Sequence, residues 1–431
     1  MLDLLYIRNK PEEVAQKLAR RGFEVDFSDF LEADEKRRRL MHETEELKAE
    51  RNTKSAEIPL IKKQKGDISA LTESLRELGE KIRENDILIK EMNAEQQAFL
   101  ASLPNIPADD IPAGGKENNE VVSVWGEPMA MTAQTKNHVD LVESCGMIDY
   151  ERGAKLSGSG FWIYRGAGAI LEWALLNYFI GEHLKDGYEM MLTPHILNYE
   201  CGYVGGQFPK FEDDVFQLRG GGEKFQFILP TAETALTNVH ADEILKESEL
   251  PKKYFAFTPC YRREAGSYRA DERGMIRGHQ FNKVEMFQYT RPQDSEEAFE
   301  ELVRKAASLV EGLGLVHRVS RLAAGDCSAG MRKTYDIEIW IPSMQIYKEV
   351  SSVSNASDYQ ARRGNIRYRQ ADTGKTEFCH TLNGSGLATS RVIPAIVEQC
   401  QQPDGSIRVP EILAPWMHGI EVIHPIQRGN D

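Results

Sequence analysis

The residues best suited to do chemistry lie between Tyr261 and Phe287, in the segment YRREAGSYRADERGMIRGHQFNKVEMF. Its pattern predicts a strand, a polar loop and a second strand. Because side chains alternate along a strand, Arg262 and Glu264 should share one face of the first strand. The second strand and the loop add residues of the same kinds: Phe281, Lys283 and Glu285 on one face, with Arg273 and Arg277 in or near the loop.

One face of this hairpin would therefore carry guanidiniums, an aromatic ring and carboxylates. Guanidinium forks match phosphate oxygens, while carboxylates bind cations, amines and hydroxyls. An aromatic ring suits a purine. The pattern predicts a nucleotide site that also holds a small polar substrate. A charged hairpin that only faces solvent is the alternative, because charged side chains prefer water.

This hairpin resembles motif 2 of the class II aminoacyl-tRNA synthetases, specifically the bacterial type of the seryl-tRNA synthetase family. Further stretches resemble that family in the family's order: LPTAETALTN, which contains Thr231–Glu233, then EVSS…SN…QARR between Glu349 and Arg363, and HTLNGSGLATSR from His380 to Arg391, which resembles motif 3. The resemblance extends to MLDLLYIRNKPEEVAQKLARRGF, LPNIPADDIP and RVPEILAPWM, so it covers essentially the whole chain.

The resemblance implies an ATP site, whose residues are Arg262, Arg263, Glu264, Arg277, Phe281, Glu349, Val350, Ser351, Ser352 and Arg391. Three arginines would be catalytic: Arg262 at the α-phosphate, and Arg277 and Arg391 at the outer phosphates. Phe281 would stack on adenine, and Glu264 would read the adenine end or fix the loop. Glu349 and Ser352 would hold Mg²⁺ through hard oxygen ligands, and no zinc is expected.

Two of these assignments have plain structural alternatives. Arg391 could be a surface arginine on a helix beginning near Ser385, after an NGSG turn. Glu349 could be a strand carboxylate paired with a lysine, since such ion pairs are common.

For serine, the resemblance implies a site formed by Thr231, Ala232, Glu233, Arg262, Glu285 and Ser385. Thr231 and Glu233 would lie near the amino group, and Glu285 and Ser385 near the hydroxyl. Polar groups that grip a hydroxyl reject analogues lacking it, because those groups would stay unpaired. As an alternative, Thr231 could cap the helix that begins in AETALTN, with Glu233 completing the cap.

From about 28 to 103 glycine is scarce. Apolar residues recur every three or four positions in the second half of this stretch and more sparsely in the first half. The pattern predicts two helices of about 35 residues, each about 50 Å long, that fold back into an antiparallel coiled coil. The seam contains Phe30, Ala33, Leu40, Leu47, Ile58 and Ile61 in one helix and Ile68, Leu71, Leu75, Leu78, Ile82, Ile89, Met92 and Phe99 in the other, with Asn85 and Gln96 as polar exceptions. Pro59, Gly66 and Asp67 should separate the helices. A structural spacer is the alternative to an arm that reaches a partner.

The resemblance implies an α+β fold, with the class II antiparallel sheet flanked by helices and preceded by this coiled-coil arm. Residues 1–103 would form a tRNA-binding domain, 104–128 a proline-containing linker, and 129–431 the catalytic domain. A helix over Ala169–Leu184, followed by the strand YEMMLTP, resembles motif 1, which implies a homodimer. An ordinary core helix and strand explain the same pattern.

Cysteine spacing, local motifs and net charge argue against several other classes of protein. The six cysteines show no CxxC pair, which argues against a disulfide framework or a zinc site. Gly374-Lys375-Thr376 lacks the first glycine of a P-loop, because Arg369 occupies that position. Neither a signal peptide nor a membrane-spanning run is visible, so a cytoplasmic protein is expected. The net charge of −14 still allows RNA binding, because only local patches contact phosphate.

The family's activity implies ligation of L-serine to tRNA(Ser), and also to tRNA(Sec), through ATP-dependent seryl-adenylate formation. The alternatives are a catalytically inactive synthetase-like RNA-binding protein, an aminoacyl-adenylate enzyme that loads a carrier protein, and a coiled-coil structural protein. The chain departs from the family pattern in GDCSAGMRKTYD, in LATSR and at Pro394, which should kink its helix.

Overall fold

A computed structural model describes residues 1–129, 135–220, 222, 224–264 and 274–426. Arg273, predicted near the motif 2 loop, lies outside the described residues. The chain divides into two compact units. The smaller contains Leu2–Ala19 and Phe23–Pro104, and the larger contains Met1, Arg20–Gly22 and the chain from Asn105 onward.

The smaller unit is helical. Its helices are α1 (Leu4–Asn9), α2 (Pro11–Ala19), α3 (Ser28–Lys63) and α4 (Ser69–Ser102). α2 begins at Pro11, where the fixed φ of proline suits the first helical position. α3 and α4 contain 36 and 34 residues, which confirms the predicted pair of long helices. Pro59 lies inside α3, so the prediction that it separates the helices is wrong. It removes one backbone hydrogen bond, while Ile58 and Ile61 on either side stay half-buried.

The seam between α3 and α4 contains more polar contacts than the sequence pattern predicts. Phe30 stacks on Phe99 with ring centroids 4.5 Å apart, as expected of facing apolar positions. Asn85 is buried and its Nδ2 donates to Thr44 Oγ1 at 3.1 Å. Ala33, predicted in the seam, is exposed, and the neighbouring Asp34 is buried in its place.

Asp34 joins three helices of this unit. Arg8 of α1 donates two hydrogen bonds to its carboxylate, at 2.7 and 2.8 Å. Arg37 Nη2 and Gln96 Nε2 donate to the same group at 3.1 and 2.8 Å. Burial alone would raise the pKa of Asp34, but the hydrogen bonds from Arg8, Gln96 and Arg37 outweigh it and hold that pKa well below its ordinary value. A buried carboxylate is thus compensated at the base of the coiled coil.

The larger unit contains the remaining helices: α5 (His138–Ser144), α6 (Tyr150–Ser157), α7 (Ala167–Lys185), α8 (Tyr199–Val204), α9 (Ala232–Leu236), α10 (Ser295–Gly312), α11 (Tyr359–Gly364) and α12 (Thr389–Gln399). Its strands are β1 (Glu120–Trp125), β2 (Ile148–Asp149), β3 (Ile163–Tyr164), β4 (Glu189–Met190), β5 (Ile196–Asn198), β6 (Phe216–Leu218), β7 (Gln226–Ile228), β8 (Ile244–Lys246), β9 (Lys252–Tyr261), β10 (Gln280–Thr290), β11 (His317–Arg321), β12 (Lys333–Ile341), β13 (Ile346–Ser357), β14 (Arg367–Arg369), β15 (Thr376–Phe378), β16 (His380–Ala388), β17 (Ile407–Arg408) and β18 (Val422–Ile423).

Eight of these strands form the main sheet, in the order β1-β11-β12-β13-β16-β10-β9-β4. Every neighbouring pair is antiparallel except β4 and β9, which are parallel. α7, α10 and α12 contribute apolar residues to the large core cluster that also contains sheet residues. The predicted class II arrangement, an antiparallel sheet flanked by helices, is confirmed.

Four expectations about local structure need correction. The stretch 104–128, predicted as a linker, contains β1, whose residues pair with β11 at the sheet edge. The first motif 2 strand ends at Tyr261, so Arg262 and Glu264 follow it in extended or turned backbone. The NGSG segment lies inside β16, where both neighbouring strands pair with it, so it is no turn and the helix carrying Arg391 begins at Thr389. Of YEMMLTP, only Glu189–Met190 is strand.

Pro394 lies inside α12, which continues to Gln399. All six cysteines fall in the described ranges as free thiols. In the described part of the chain, no helix has both the length and the apolarity that crossing a lipid bilayer requires.

Replacing Asp34 by Asn should destabilise the helical unit, because the half-buried Arg8 and Arg37 would lose their buried counter-charge. We expect a loss of about 3 kcal/mol in free energy of unfolding, the scale for breaking a buried ion pair. Urea unfolding followed by far-ultraviolet circular dichroism measures it. Glu35→Gln is the matched control, since Glu35 forms only an exposed pair with Arg39 on the same helix. Equal stability of the two variants would contradict the role of Asp34.

Candidate active site

Two adjoining cavities open at the end of β9 and β10, and both are lined by Arg262, Glu264 and Arg277. The first is also lined by Phe281, Lys283, Glu349, Val350, Ser385 and Arg391. The second is also lined by Gln207, Pro230, Thr231 and Glu233. The predicted nucleotide residues and the predicted serine residues therefore meet in one region.

Strand pairing brings the motif 2 residues together. The backbone N–H of Arg262 donates to His279 O at 2.9 Å, which continues the β9–β10 ladder past its last strand residue. The guanidinium of Arg262 lies 5.2 Å from the ring centroid of Phe281, and its Nε donates to Pro230 O at 3.3 Å. The predicted sharing of one face by Arg262 and Phe281 is thus observed, although Arg262 follows the strand.

The other two arginines of the predicted set also border the first cavity. Arg277 forms an ion pair with Glu264. Arg391 Nη1 donates to Glu349 O at 2.7 Å and lies 3.5 Å from Glu349 Oε2. Arg391 is therefore no isolated surface arginine, and the partner of Glu349 is an arginine rather than the lysine of the alternative reading.

Oxygen ligands cluster beside Arg391. Ser352 Oγ lies 2.5 Å from Asp336 Oδ1 and 3.2 Å from Glu349 Oε1. Burial raises the pKa of Asp336 well above its ordinary value, and the negative charge of Glu349 adds to this. Burial would also raise the pKa of Glu349, but Arg391 and Arg262 outweigh it and lower that pKa. Two carboxyl groups and a hydroxyl are the hard donors that Mg²⁺ accepts, so the residues fit that ion. No group of three or more His, Cys, Asp or Glu side chains suited to a metal occurs among the described residues.

Buried polar groups surround the inner end of the site. Lys283 Nζ donates to Thr231 Oγ1 at 2.8 Å and forms an ion pair with Glu285, which is fully buried. Asn383 Nδ2 donates to Glu285 Oε1 at 3.1 Å and to Glu233 Oε2 at 3.3 Å. Glu285 lies directly opposite Ser385 across β10 and β16. These groups could form hydrogen bonds with the amine and the hydroxyl of a small polar substrate.

Thr231 also caps a helix. Its Oγ1 accepts a hydrogen bond from the N–H of Glu233 at 3.2 Å, at the start of α9. The capping alternative is therefore correct for Thr231, and the cap coexists with a position that lines the second cavity. The Glu233 carboxylate instead accepts hydrogen bonds from Gln360 and Asn383. Capping orients the first turn of α9, and this turn carries Glu233.

The pKa of Glu233 is raised to about 7. The largest cause is burial, and the negative charge of Glu285 adds to it. Lys283, the hydrogen bond from Gln360 and Arg262 act in the opposite direction. Glu233 therefore changes charge near neutral pH, and a bound cation would favour its ionised form.

Five predicted site residues are not among those that line the two cavities: Arg263, Ser351, Ser352, Ala232 and Glu285. Arg263 is exposed and its Nη1 donates to Asp213 O at 3.3 Å. Ser351 is buried and its Oγ donates to Ser385 O at 2.6 Å. Ala232 is fully buried in α9. Among these residues, Ser351 supports the site residue Ser385 through its hydrogen bond.

Sequence reasoning missed Asp336, Asn383 and Gln360 as site residues and left Lys283 without a role. Lys283 had a signal, because it lies between Phe281 and Glu285 on the same strand face. Asp336 is opposite Ser352 across β12 and β13, and nothing in the local pattern indicates that pairing. Asn383 lies within the quoted NGSG segment, but reading that segment as a turn concealed its inward position.

Comparison with known proteins gives consistent family matches in two separate parts of the chain. Residues 1–107 match the family described as seryl-tRNA synthetase N-terminal domain, and residues 217–400 match the tRNA synthetase class II core domain (G, H, P, S and T). A protein named serine–tRNA ligase 2 from Clostridium acetobutylicum is 61% identical over 420 residues, which cover 97% of this chain and 99% of the relative.

Two similar solved structures are also seryl-tRNA synthetases. The seryl-tRNA synthetase of Pyrococcus horikoshii, complexed with ATP, has a TM-score of 0.90 at 34% identity and covers 99% of this chain and 100% of its own. The cytoplasmic serine–tRNA ligase of Naegleria fowleri, in complex with AMP, has a TM-score of 0.86 at 29% identity, with 99% of each chain covered. The 61% identity with the Clostridium acetobutylicum protein covers nearly the full length, and both family models match. The chain therefore belongs to the seryl-tRNA synthetase family of class II aminoacyl-tRNA synthetases.

Proposed function

We propose that this family member acts as a serine–tRNA ligase through the site at the ends of β9 and β10. It activates L-serine with ATP to form seryl-adenylate and pyrophosphate, and then transfers serine to tRNA(Ser) and to tRNA(Sec). The observation that carries the proposal is that an arginine-lined cavity adjoins a second cavity lined by Thr231 and Glu233. The buried Glu285 contacts Lys283 and Thr231, which line these cavities.

Activation requires the serine carboxylate to attack the α-phosphorus of ATP while pyrophosphate leaves. This step needs no covalent enzyme nucleophile, so catalysis consists of orienting the reactants and stabilising negative charge. We assign Arg262 to the α-phosphate and the serine carboxylate, and Arg277 and Arg391 to the outer phosphates. Phe281 would stack on adenine, with Arg263, Glu264 and Val350 contributing to the nucleotide site.

Glu349 and Ser352 would hold Mg²⁺, and Asp336 lies close enough to Ser352 Oγ, at 2.5 Å, to orient that hydroxyl. When bound, the ion would neutralise charge on the phosphate oxygens of ATP. Arg391 would keep Glu349 ionised and ready to act as an oxygen ligand, since its positive charge lowers the pKa of that carboxylate against the effect of burial.

The inner pocket would recognise serine. Its ammonium would approach Glu233 and Thr231, and its hydroxyl would approach Glu285 and Ser385. Alanine would leave Glu285 without the hydroxyl partner, which is the physical basis for rejecting it. Threonine would add a methyl group beside β16, whose residues Gly384–Gly386 are buried.

The smaller unit would bind tRNA through its helical hairpin. We propose residues 1–103 as the tRNA-binding domain, with the arm over 28–103, and the catalytic domain over 129–431. Several exposed lysines near the turn between α3 and α4, including Lys62, Lys63 and Lys65, would meet phosphates. Residues 105–128 belong to the larger unit.

A homodimer would use α7 and the strand after it. Trp173 and Leu184 of α7 are 58% and 53% exposed, and Leu192 and Ile196 beyond β4 are 81% and 53% exposed. Large apolar side chains clustered on one motif favour a protein interface.

We also propose that the protein functions in the cytoplasm, where its tRNA and ATP substrates are available.

Replacing Arg262 by Ala should slow adenylate formation by roughly 10²–10³, the scale for removing one preorganised charge stabiliser. Serine-dependent exchange of pyrophosphate into ATP measures this step without tRNA. Arg304→Ala, an exposed position of α10, is the matched control. Normal exchange in the Arg262 variant would refute its assignment, and the lack of serine-dependent exchange in the unaltered protein would refute the proposed function.

Replacing Glu285 by Ala should raise the serine KM and weaken discrimination against alanine by roughly 1–3 kcal/mol, the range for a lost buried hydrogen-bond partner. The KM for ATP should change less, because Glu285 bonds to Lys283 and Asn383 rather than to the arginines. Exchange assays with serine and alanine give both values. Glu301→Ala on α10 is the control, since that carboxylate pairs with Lys253 outside the cavities. Intact discrimination with lost ATP binding would assign Glu285 to the nucleotide.

Deleting residues 47–82 and joining Glu46 to Arg83 by a short glycine-rich loop should separate the two half-reactions. The deletion retains Asp34 with its partners and the Thr44–Asn85 contact, so the base of the hairpin should fold. Seryl-adenylate formation should persist, whereas tRNA charging should fall by orders of magnitude because phosphate contacts are lost.

Steady-state aminoacylation of tRNA(Ser), measured beside pyrophosphate exchange, tests this separation. Charging by the intact protein should also weaken steeply with added salt. If the shortened enzyme charges tRNA as well as the intact protein, the arm is only a spacer.

A further inference from the structure

Gln360 lies behind the candidate serine pocket and touches neither cavity. It is 1% exposed, in α11, and it is absent from the residues that line the two cavities. Its Nε2 donates to Glu233 Oε1 at 2.9 Å and to Gly205 O at 3.1 Å. Glu233 itself lines the second cavity, so Gln360 is in direct hydrogen-bond contact with a cavity-lining carboxylate.

The orientation of the Gln360 amide is determined by its other neighbour. Thr381 Oγ1, buried in β16, donates to Gln360 Oε1 at 2.6 Å. Gly205 O can only accept a hydrogen bond, so the amide nitrogen must point toward it and toward Glu233. A flipped amide would place its oxygen against a carbonyl and a carboxylate, which would lose both hydrogen bonds.

We propose that Gln360 is a positioning residue that holds Glu233 Oε1 and leaves Glu233 Oε2 directed at the ammonium of the amino acid. The inference rests on the proposed function, in which Glu233 receives that ammonium. Asn383 contacts Glu233 Oε2 at a longer distance, 3.3 Å, so Gln360 supplies the shorter of the two side-chain contacts.

Charge reinforces this role. The groups that face Glu233 are the anionic Glu285 and the cationic Lys283, both on β10, and Arg262, which follows β9. Gln360 donates to the carboxylate and cannot accept from it, so it favours the ionised form that attracts an ammonium. Without Gln360 the carboxyl of Glu233 would be protonated up to a higher pH, because burial and Glu285 would be opposed by fewer groups.

Two substitutions distinguish the effect of the Gln360 hydrogen-bond donor from the effect of its side-chain shape. Gln360→Met retains chain length and removes both the donor and the acceptor. Gln360→Glu retains the shape but replaces the donor by a group that repels Glu233 when ionised. Gln399→Met is the matched control, because the Gln399 amide also both donates and accepts: it donates to Trp340 O and accepts from the N–H of Val316, away from the cavities.

Serine-dependent pyrophosphate exchange should be measured across the neutral pH range, with serine and ATP varied separately. Gln360→Met should raise the serine KM by about 10- to 100-fold, the scale for a lost hydrogen bond to a charged group. The ATP KM should stay within about twofold of the unaltered protein, since uniform effects on both substrates indicate a general defect. The pH at which 1/KM for serine is half-maximal should move upward.

Gln360→Glu should be impaired at least as strongly, although it has the natural shape. Thr381→Val removes only the hydrogen bond that orients the Gln360 amide, so it should shift the serine KM in the same direction by a smaller factor. This variant keeps Gln360 itself, so it tests the proposal even if the Gln360 variants unfold.

Three results would overturn the proposal: equal changes in the serine and ATP KM values, an unmoved pH midpoint, or normal serine KM in Gln360→Glu. Loss of serine-dependent exchange in the unaltered protein would instead contradict the proposed function, so the two failures are distinguishable.

Discussion

The antiparallel pairing of β10 with β9 on one side and β16 on the other is the constraint on which the site depends. It places Phe281 opposite Cys260 and Glu285 opposite Ser385, while continuation of the ladder brings Arg262 against His279. A shift of one residue would turn every side chain of β10 to the opposite face. The nucleotide cavity and the inner pocket therefore exist in one register only.

Compensation of buried charge is the second requirement of this geometry. Glu233 and Glu285 lie close enough for Asn383 to donate to both, and such a pair would repel without further partners. Lys283 neutralises Glu285, and Gln360 donates to Glu233. Leaving one carboxylate of the pair protonated near neutral pH costs little, and an incoming ammonium supplies the missing positive charge.

In the helical unit, buried polar groups also fix the register of the paired elements. A long two-helix hairpin has a narrow seam, and apolar packing alone determines register weakly when helices can slide. The buried Thr44–Asn85 contact and the Asp34 cluster are compatible with one alignment, because a shift would leave their donors and acceptors unpaired. Polar contacts inside the seam thus specify how α3 and α4 meet.

The sequence by itself determined the fold class, the two long helices, the strands of motif 2 and the chemistry of their arginines and carboxylates. Period and residue type are local properties, and the order of several motifs along the chain makes the family assignment specific. Tertiary structure alone decided which residues from distant segments meet. Asp336 joins Ser352 through strand pairing, Gln360 reaches Glu233 across 127 positions of sequence, and β1 completes the sheet edge within a stretch that resembles a linker. These contacts depend on how strands and helices pack in space, which no local pattern of residues encodes.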